Sequence, residues 1–199
     1  MLTFRDIARA TDKRTVISAV LPSSWGAGNK APLLLPNVPD KLAACLLATL
    51  NSLSLDFVAR IKQPGATLNF FILKQLPVLP PDRFSEAAQD YIASRVARLT
   101  KNDRVTAACW LPEYPSETYQ EPRVRLQIRA ELDAYIAHLY KLSRRDLEYI
   151  LDPTSVCGED HPSETFPGLK RDEIAEYGEF LTQRLVLEAY DELARTVFA

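Results

Sequence analysis

A chain of 199 residues, 47% hydrophobic and 25% charged, has the composition of a soluble globular protein and room for one large domain or two small ones. No run of about 18 apolar residues argues for a membrane span, and "MLTFRDIARATDKRTV" at the N-terminus lacks the apolar core of a signal peptide. The net charge of −2 conceals an asymmetry: residues 1–110 carry 14 Lys and Arg against 8 Asp and Glu, whereas residues 111–199 carry 10 against 18.

"RTVISAVLP" (14–22) has the β-branched content of a strand, closed by Pro22. "SSWGAGNK" (23–30) is a turn with two glycines, and "APLLLP" (31–36) reads as a short buried strand between prolines. From Asp40, a candidate N-cap, apolar residues at Leu42, Cys45, Leu46, Leu50, Leu53, Phe57 and Ile61 predict one helix over 40–63. "QPGAT" (63–67) ends it. Asn69 is placed to cap a single turn, "FFILKQ", that would set Phe70, Phe71 or Leu73 into the core. "LPVLPP" (76–81) is too rich in proline for a central strand and reads as an edge strand or an extended rail.

Ser85 opens a helix over roughly 86–100, with Tyr91, Ile92, Val96 and Leu99 on one side. "TAACWLPEYPSETYQEP" (106–122) is punctuated by prolines and reads as a boundary. Pro122 suits the first position of a helix burying Ile128, Leu132, Tyr135, Ile136 and Leu139. "SRRD" (143–146) resembles a capping box starting a short helix to about Ile150. After a polar loop over 152–168, a helix over about 171–197 is broken or bent near Gly178, with Leu181, Leu185, Ala189, Leu193 and Val197 on one face. The expected fold class is α+β: a small mixed α/β module over 1–105, a linker over 106–121 and an all-helical module over 122–199. The charge asymmetry fits two modules with different partners, and equally an ordinary scatter of solvated charges.

The chain offers little catalytic chemistry. Gly26 and Gly28 precede a short strand rather than join a strand to a long helix, so they form no phosphate-binding loop. No Gly-x-Ser-x-Gly elbow is present. His138 sits beside the apolar stripe of its helix. Cys157 and His161 have a spacing that could supply two zinc ligands, but no second pair matches it. Asp172, Glu173, Glu176 and Glu179 read as a solvated helical turn. Cys45, Cys109 and Cys157, odd in number and far apart, suit reduced thiols in a cytoplasmic protein.

Two loops stand out. "ARIKQPGATLN" (59–69) brings Arg60, Lys62, Gln63, Thr67 and Asn69 into eleven residues, and "WGAGNK" (25–30) adds Asn29 and Lys30. Arg and Lys neutralise phosphates, and Gln and Asn can pair with adenine edges in the major groove. Lys13 and Arg14 would extend the basic track. The competing reading is of ordinary polar loops with helix-end charges.

"FRDIARATDKRTVISAVLP", followed by "LLATLNSLSLDFVARIK" and "LNFFILKQLPVLPP", resembles the C-terminal target-recognition region of adenine-specific DNA methyltransferases. These enzymes belong to single-chain type II restriction–modification and related phage-defence systems. "RAELDAYIAHLYKLSRRDLEYIL" and "YGEFLTQRLVLEAYDELA" resemble the closing helices of the same enzymes, so the likeness runs over nearly the whole chain in one order. It implies the specificity portion of such an enzyme, with double-stranded DNA and a catalytic methyltransferase domain or subunit as partners. The Asn-Pro-Pro-Tyr-type motif and the glycine-rich cofactor loop of the family are absent; "LPNVPD" (35–40) does not match. The resemblance therefore implies a fragment or separately encoded piece with no catalytic residues and no cofactor of its own, S-adenosylmethionine belonging to the missing catalytic domain. Two rivals stand beside it: a helical protein-interaction scaffold of a defence complex, and a small enzyme using Cys157 and His161.

Overall fold

The computed structural model describes residues 1–63, 65–101, 110–114 and 121–198. Strand β1 (Leu2–Phe4) alternates in the simplest way, with Leu2 and Phe4 each 1% exposed and Thr3 turned outward. It is the centre of a three-stranded antiparallel sheet, ordered β2-β1-β3, with β2 at Ser18–Val20 and β3 at Leu33–Leu34. Thr3 lies opposite both Ala19 and Leu33, which places Leu33 on the outer face, 38% exposed rather than buried as expected.

The strand expected over 14–22 forms only at Ser18–Val20. Thr15 and Val16 turn their N–H groups onto the Asp56 carboxylate, at 2.9 and 2.8 Å, instead of onto a neighbouring strand. β1 itself was not legible as a strand: three residues are too few to show an alternation.

The single helix expected over 40–63 is two: α1 (Asp40–Leu50) and α2 (Leu53–Lys62), bent by 56°. Ser52 causes the break by capping α2, accepting a hydrogen bond from Leu55 N. Asn51 pins it to the sheet, its side chain accepting from Ser18 N and donating to Ser18 O, both at 3.0 Å. Because α2 does not continue the phase of α1, Ile61 is 72% exposed instead of lying in the stripe. Asp40 is the first helical residue and Pro39 occupies the cap position.

Asn69 caps α3 (Phe70–Leu73), accepting from Ile72 N at 3.0 Å. Of the three candidates for the core, Leu73 is buried, while Phe70 and Phe71 are exposed. The proline-rich stretch after it runs without strand pairing into a short 3₁₀ turn at Pro81–Arg83. Ser85 then caps α4 (Glu86–Thr100).

Pro122 opens α5 (Pro122–Leu139), and Ser143 and Asp146 form a complete capping box on α6 (Arg144–Leu151). The loop after it contains one short helix, α7 (Thr154–Cys157). Gly178, at φ +80°, separates α8 (Pro167–Tyr177) from α9 (Leu181–Thr196). Glu173 is not a solvated acid: it is 6% exposed and accepts from Thr182 N and Oγ1, at 2.7 and 2.5 Å, thereby capping α9 from the preceding helix.

The result is an α+β fold with a helical C-terminal part. α5 pairs with α9, and α1 and α4 pack on each other and on α5. The larger core accordingly draws on both halves of the chain, joining Cys45 and Ile92 to Ile136 and Leu187. A smaller core, including Phe4, Val16, Leu55, Leu68 and Leu76, lies between the sheet and α2–α3. Most of the expected linker over 106–121 lies outside the described residues. Residues 110–114 are described, and Trp110 and Leu111 are buried there. Pro64 and Cys109 also lie outside them. No single helix among the described residues is long and apolar enough to cross a membrane.

Candidate nucleic-acid interface

Beyond β1 the chain bends at Asp6, and residues 6–8 become a rail for two distant loops. On one side, Asp6 N donates to Lys30 O at 3.1 Å, and Lys30 Nζ pairs with the Asp6 carboxylate at 2.9 Å. On the other, Ala8 N donates to Ala66 O, Leu68 N donates to Asp6 O, and Ile7 pairs with Thr67. The 23–31 and 63–69 loops therefore meet on residues 6–8, although some 35 positions separate them. Asn29, Lys30, Lys62 and Thr67 are exposed, as are Ile7, Arg9 and Trp25. Lys62 makes no ion pair among the described residues, and the side chain of Arg9 makes none either.

Four of the nine expected DNA contacts are spent inside the fold. Arg60, 9% exposed, lies at the C-terminal end of α2 and donates to the carbonyls of Ala10, Asp12 and Lys13, the last two at 2.7 and 2.8 Å. Its guanidinium also lies 3.5 Å from Asp56 and 4.5 Å from the centre of the Phe166 ring. Burial lowers its pKa, partly offset by Asp56. Gln63, 6% exposed, donates to Ala8 O and Gly65 O, so it shapes the loop instead of reading a base edge. Arg14 donates Nε to Asp56 at 2.9 Å and Nη2 to Asn51 O. Asn69 is exposed, but its side-chain oxygen caps α3.

Lys13 and Lys30 are intermediate cases, exposed yet ion-paired: Lys13 with Asp172 of α8 at 2.5 Å, away from the two loops, and Lys30 with Asp6 at 2.9 Å. Asn29, Lys30, Lys62 and Thr67 thus form the part of the expected track that the fold both gathers and presents. Sequence reasoning missed Ile7 and Arg9, whose placement depends on the unrecognised β1. It read Arg60 and Gln63 outward because their partners lie about 50 residues earlier in the chain.

The groups considered for catalysis take other roles or none. His138 stacks between Tyr190 and Phe198, with ring centres 3.9 and 4.4 Å away, and its Nε2 hydrogen-bonds with Tyr190 O. Burial lowers its pKa. Cys157 is exposed, and His161 Nδ1 lies 3.0 Å from Ser163 O. Among the described residues no group of three or more His, Cys, Asp or Glu could hold a metal ion.

Comparison with protein-family models, curated proteins and solved structures finds no match to this chain.

Proposed function

We propose that this chain is the DNA target-recognition portion of an adenine-specific DNA methyltransferase or restriction–modification enzyme, acting beside a separate catalytic domain that binds S-adenosylmethionine. The observation that carries the reading is the meeting of the 23–31 and 63–69 loops on residues 6–8, which gathers Asn29, Lys30, Lys62 and Thr67 from distant parts of the sequence. The reading also accords with the resemblance of several segments, in order, to the target-recognition region of adenine-specific DNA methyltransferases. Lys30 and Lys62, with the exposed Arg9 next after residues 6–8 in the chain, steer the module by phosphate contact; Asn29 and Thr67 approach base edges. Arg60 and Gln63 hold the loops in shape. In the intact enzyme this grip positions the site while the target adenine is flipped into the catalytic pocket elsewhere.

The test is a fluorescence-anisotropy titration with random duplex DNA at about 50 and 200 mM salt, using wild type and the Lys30→Ala, Lys62→Ala double variant. Loss of two phosphate contacts weakens binding to all sequences and lowers the salt slope by about 2. Unchanged affinity and slope in the double variant would refute this placement of the DNA face.

A second reading is a protein-interaction scaffold, favoured by Ile61 and Phe71, which are 72% and 76% exposed on the adjacent helices α2 and α3. Under it, duplex DNA does not bind at low salt and Phe71→Ser disrupts assembly with the catalytic subunit.

A further inference from the structure

Trp25 is 55% exposed and belongs to neither hydrophobic core. A single apolar side chain at the surface needs no explanation by itself; what sets Trp25 apart is the loop that carries it. Residues 23–30 are all exposed, yet the loop is held at both ends. Pro22 is buried and its carbonyl accepts from Trp25 N at 3.1 Å, closing a turn directly under the indole. At the other end Gly28 O accepts from Ala31 N at 3.0 Å, and Lys30 is fastened to Asp6 through its carbonyl at 3.1 Å and its ammonium at 2.9 Å. Gly26 and Gly28 have open space where a Cβ would stand, and neither has a positive φ. The fold itself therefore has no need of glycine at these positions, which leave bare backbone beside the ring where a ligand can come close.

The chemistry of the loop narrows the ligand. Around Trp25 it offers Ser23, Ser24, Ala27, Asn29 and Lys30, with no second large apolar side chain. The anchor of a protein–protein contact sits within a ring of packed neighbours that exclude water, and this loop supplies none. A lone indole accompanied by hydroxyls, an amide and an ammonium suits a flat aromatic face with polar edges on an anionic backbone, which describes a nucleobase in its strand. In a fully paired duplex both faces of each base are covered by the neighbouring bases. A face becomes available only where a base has left its pair or a step has opened.

We propose that Trp25 stacks on an unpaired base of the bound DNA, so that the module grips a duplex with a displaced base more tightly than a fully paired one. This rests on the DNA-recognition reading, since Asn29 and Lys30 of the same loop belong to that face. Flipping an adenine unpairs its partner base and opens the stack on either side. By stacking there Trp25 stabilises the opened duplex, and the recognition module thereby shares the cost of flipping with the catalytic domain.

The chain has two tryptophans, and Trp110 is 5% exposed, so a base stacked on Trp25 announces itself as quenching of the exposed indole's emission. The experiment records anisotropy and tryptophan emission together at about 50 mM salt, using a paired duplex and the same duplex with one added unpaired adenine. The unpaired-adenine duplex is expected to bind wild type about tenfold more tightly, the scale of one base stacked on an aromatic side chain, and to quench the emission. Trp25→Ala is expected to abolish the preference with unchanged far-ultraviolet circular dichroism, and Trp25→Phe to keep part of it. The Lys30→Ala, Lys62→Ala double variant is expected to weaken both duplexes alike and preserve their ratio. Equal affinity of wild type for the two duplexes with unchanged emission, or a preference that survives Trp25→Ala, would overturn the proposal and leave the DNA face standing. Failure of both duplexes to bind would overturn the DNA-recognition reading and this proposal with it.

Discussion

Replacing Asp56 with alanine is expected to come close to unfolding the protein. The carboxylate is fully buried and accepts from Thr15 N, Val16 N and Arg14 Nε at 2.8–2.9 Å, with Arg60 Nη2 at 3.5 Å. Removing one partner of a buried ion pair costs about 3–5 kcal/mol, because the other charge stays buried. Each buried N–H left without an acceptor costs about 1–3 kcal/mol, and these terms overlap, since Arg14 and the 14–16 backbone relax together. A total of about 4–6 kcal/mol is a large share of the 5–15 kcal/mol that stabilises a typical domain. Asp56→Asn keeps an oxygen for Thr15 and Val16 but removes the charge and turns an NH₂ toward Arg14. It is expected to cost about 3–4 kcal/mol, the ion-pair loss without the unpaired N–H groups. Urea unfolding followed by far-ultraviolet circular dichroism measures both variants at constant slope. An alanine variant within about 1 kcal/mol of wild type, or equal costs for alanine and asparagine, would refute the assignment of Asp56 as the clamp that ends the strand early and fixes residues 9–16.

Asp133 titrates in the opposite sense to a stabilising acid. Desolvation raises its pKa from 3.8 to about 6, despite Arg14, the Leu53 N–H and Arg129. The unfolded chain therefore releases this proton first, and stability is lost as pH rises from about 3.8 to 6, by about 3 kcal/mol in all. Asp133→Asn keeps the acceptor for Leu53 N, now at 2.7 Å, and is expected to flatten that loss, matching wild type near pH 3.5 and exceeding it near pH 7 in urea titrations. An advantage independent of pH would contradict this. His138 acts the other way: its lowered pKa means its stabilising contribution is present above about 6.5 and fades as pH falls below it, so His138→Phe should lessen acid sensitivity. Glu173→Ala removes the cap of α9 and is expected to cost about 1–2 kcal/mol by the same unfolding assay. Gly178→Ala meets no atom within 4 Å, so its cost of about 1–2 kcal/mol should come from the φ of +80° alone.

What could be read from the sequence was the local chemistry. Asn69, Ser85, Pro122, the Ser143–Asp146 box and Gly178 each act within a few residues, and each ends or starts an element where expected. The break at Asn51–Ser52 was hidden because an unbroken apolar stripe crosses it; what settles the matter is Ser18, 33 residues earlier. Arg60 and Gln63 looked like surface groups for the same reason, since a helix-end arginine reads alike whether its acceptors are phosphates or the carbonyls of a folded loop. The 23–31 and 63–69 loops were visible separately, but their meeting depends on the extension of β1, which is too short to show a period. Asp133 did leave a sign, an acid between Leu132 and Tyr135 on the buried face of α5.

The central claim is that the gathered loops form the DNA face, and hydrogen–deuterium exchange with and without random duplex DNA at about 50 mM salt tests it most directly. The expected result is slower exchange at residues 5–9, 23–31 and 63–69, with α5–α9 unaffected. Protection confined to α5–α9, or none at saturating DNA, would contradict the claim.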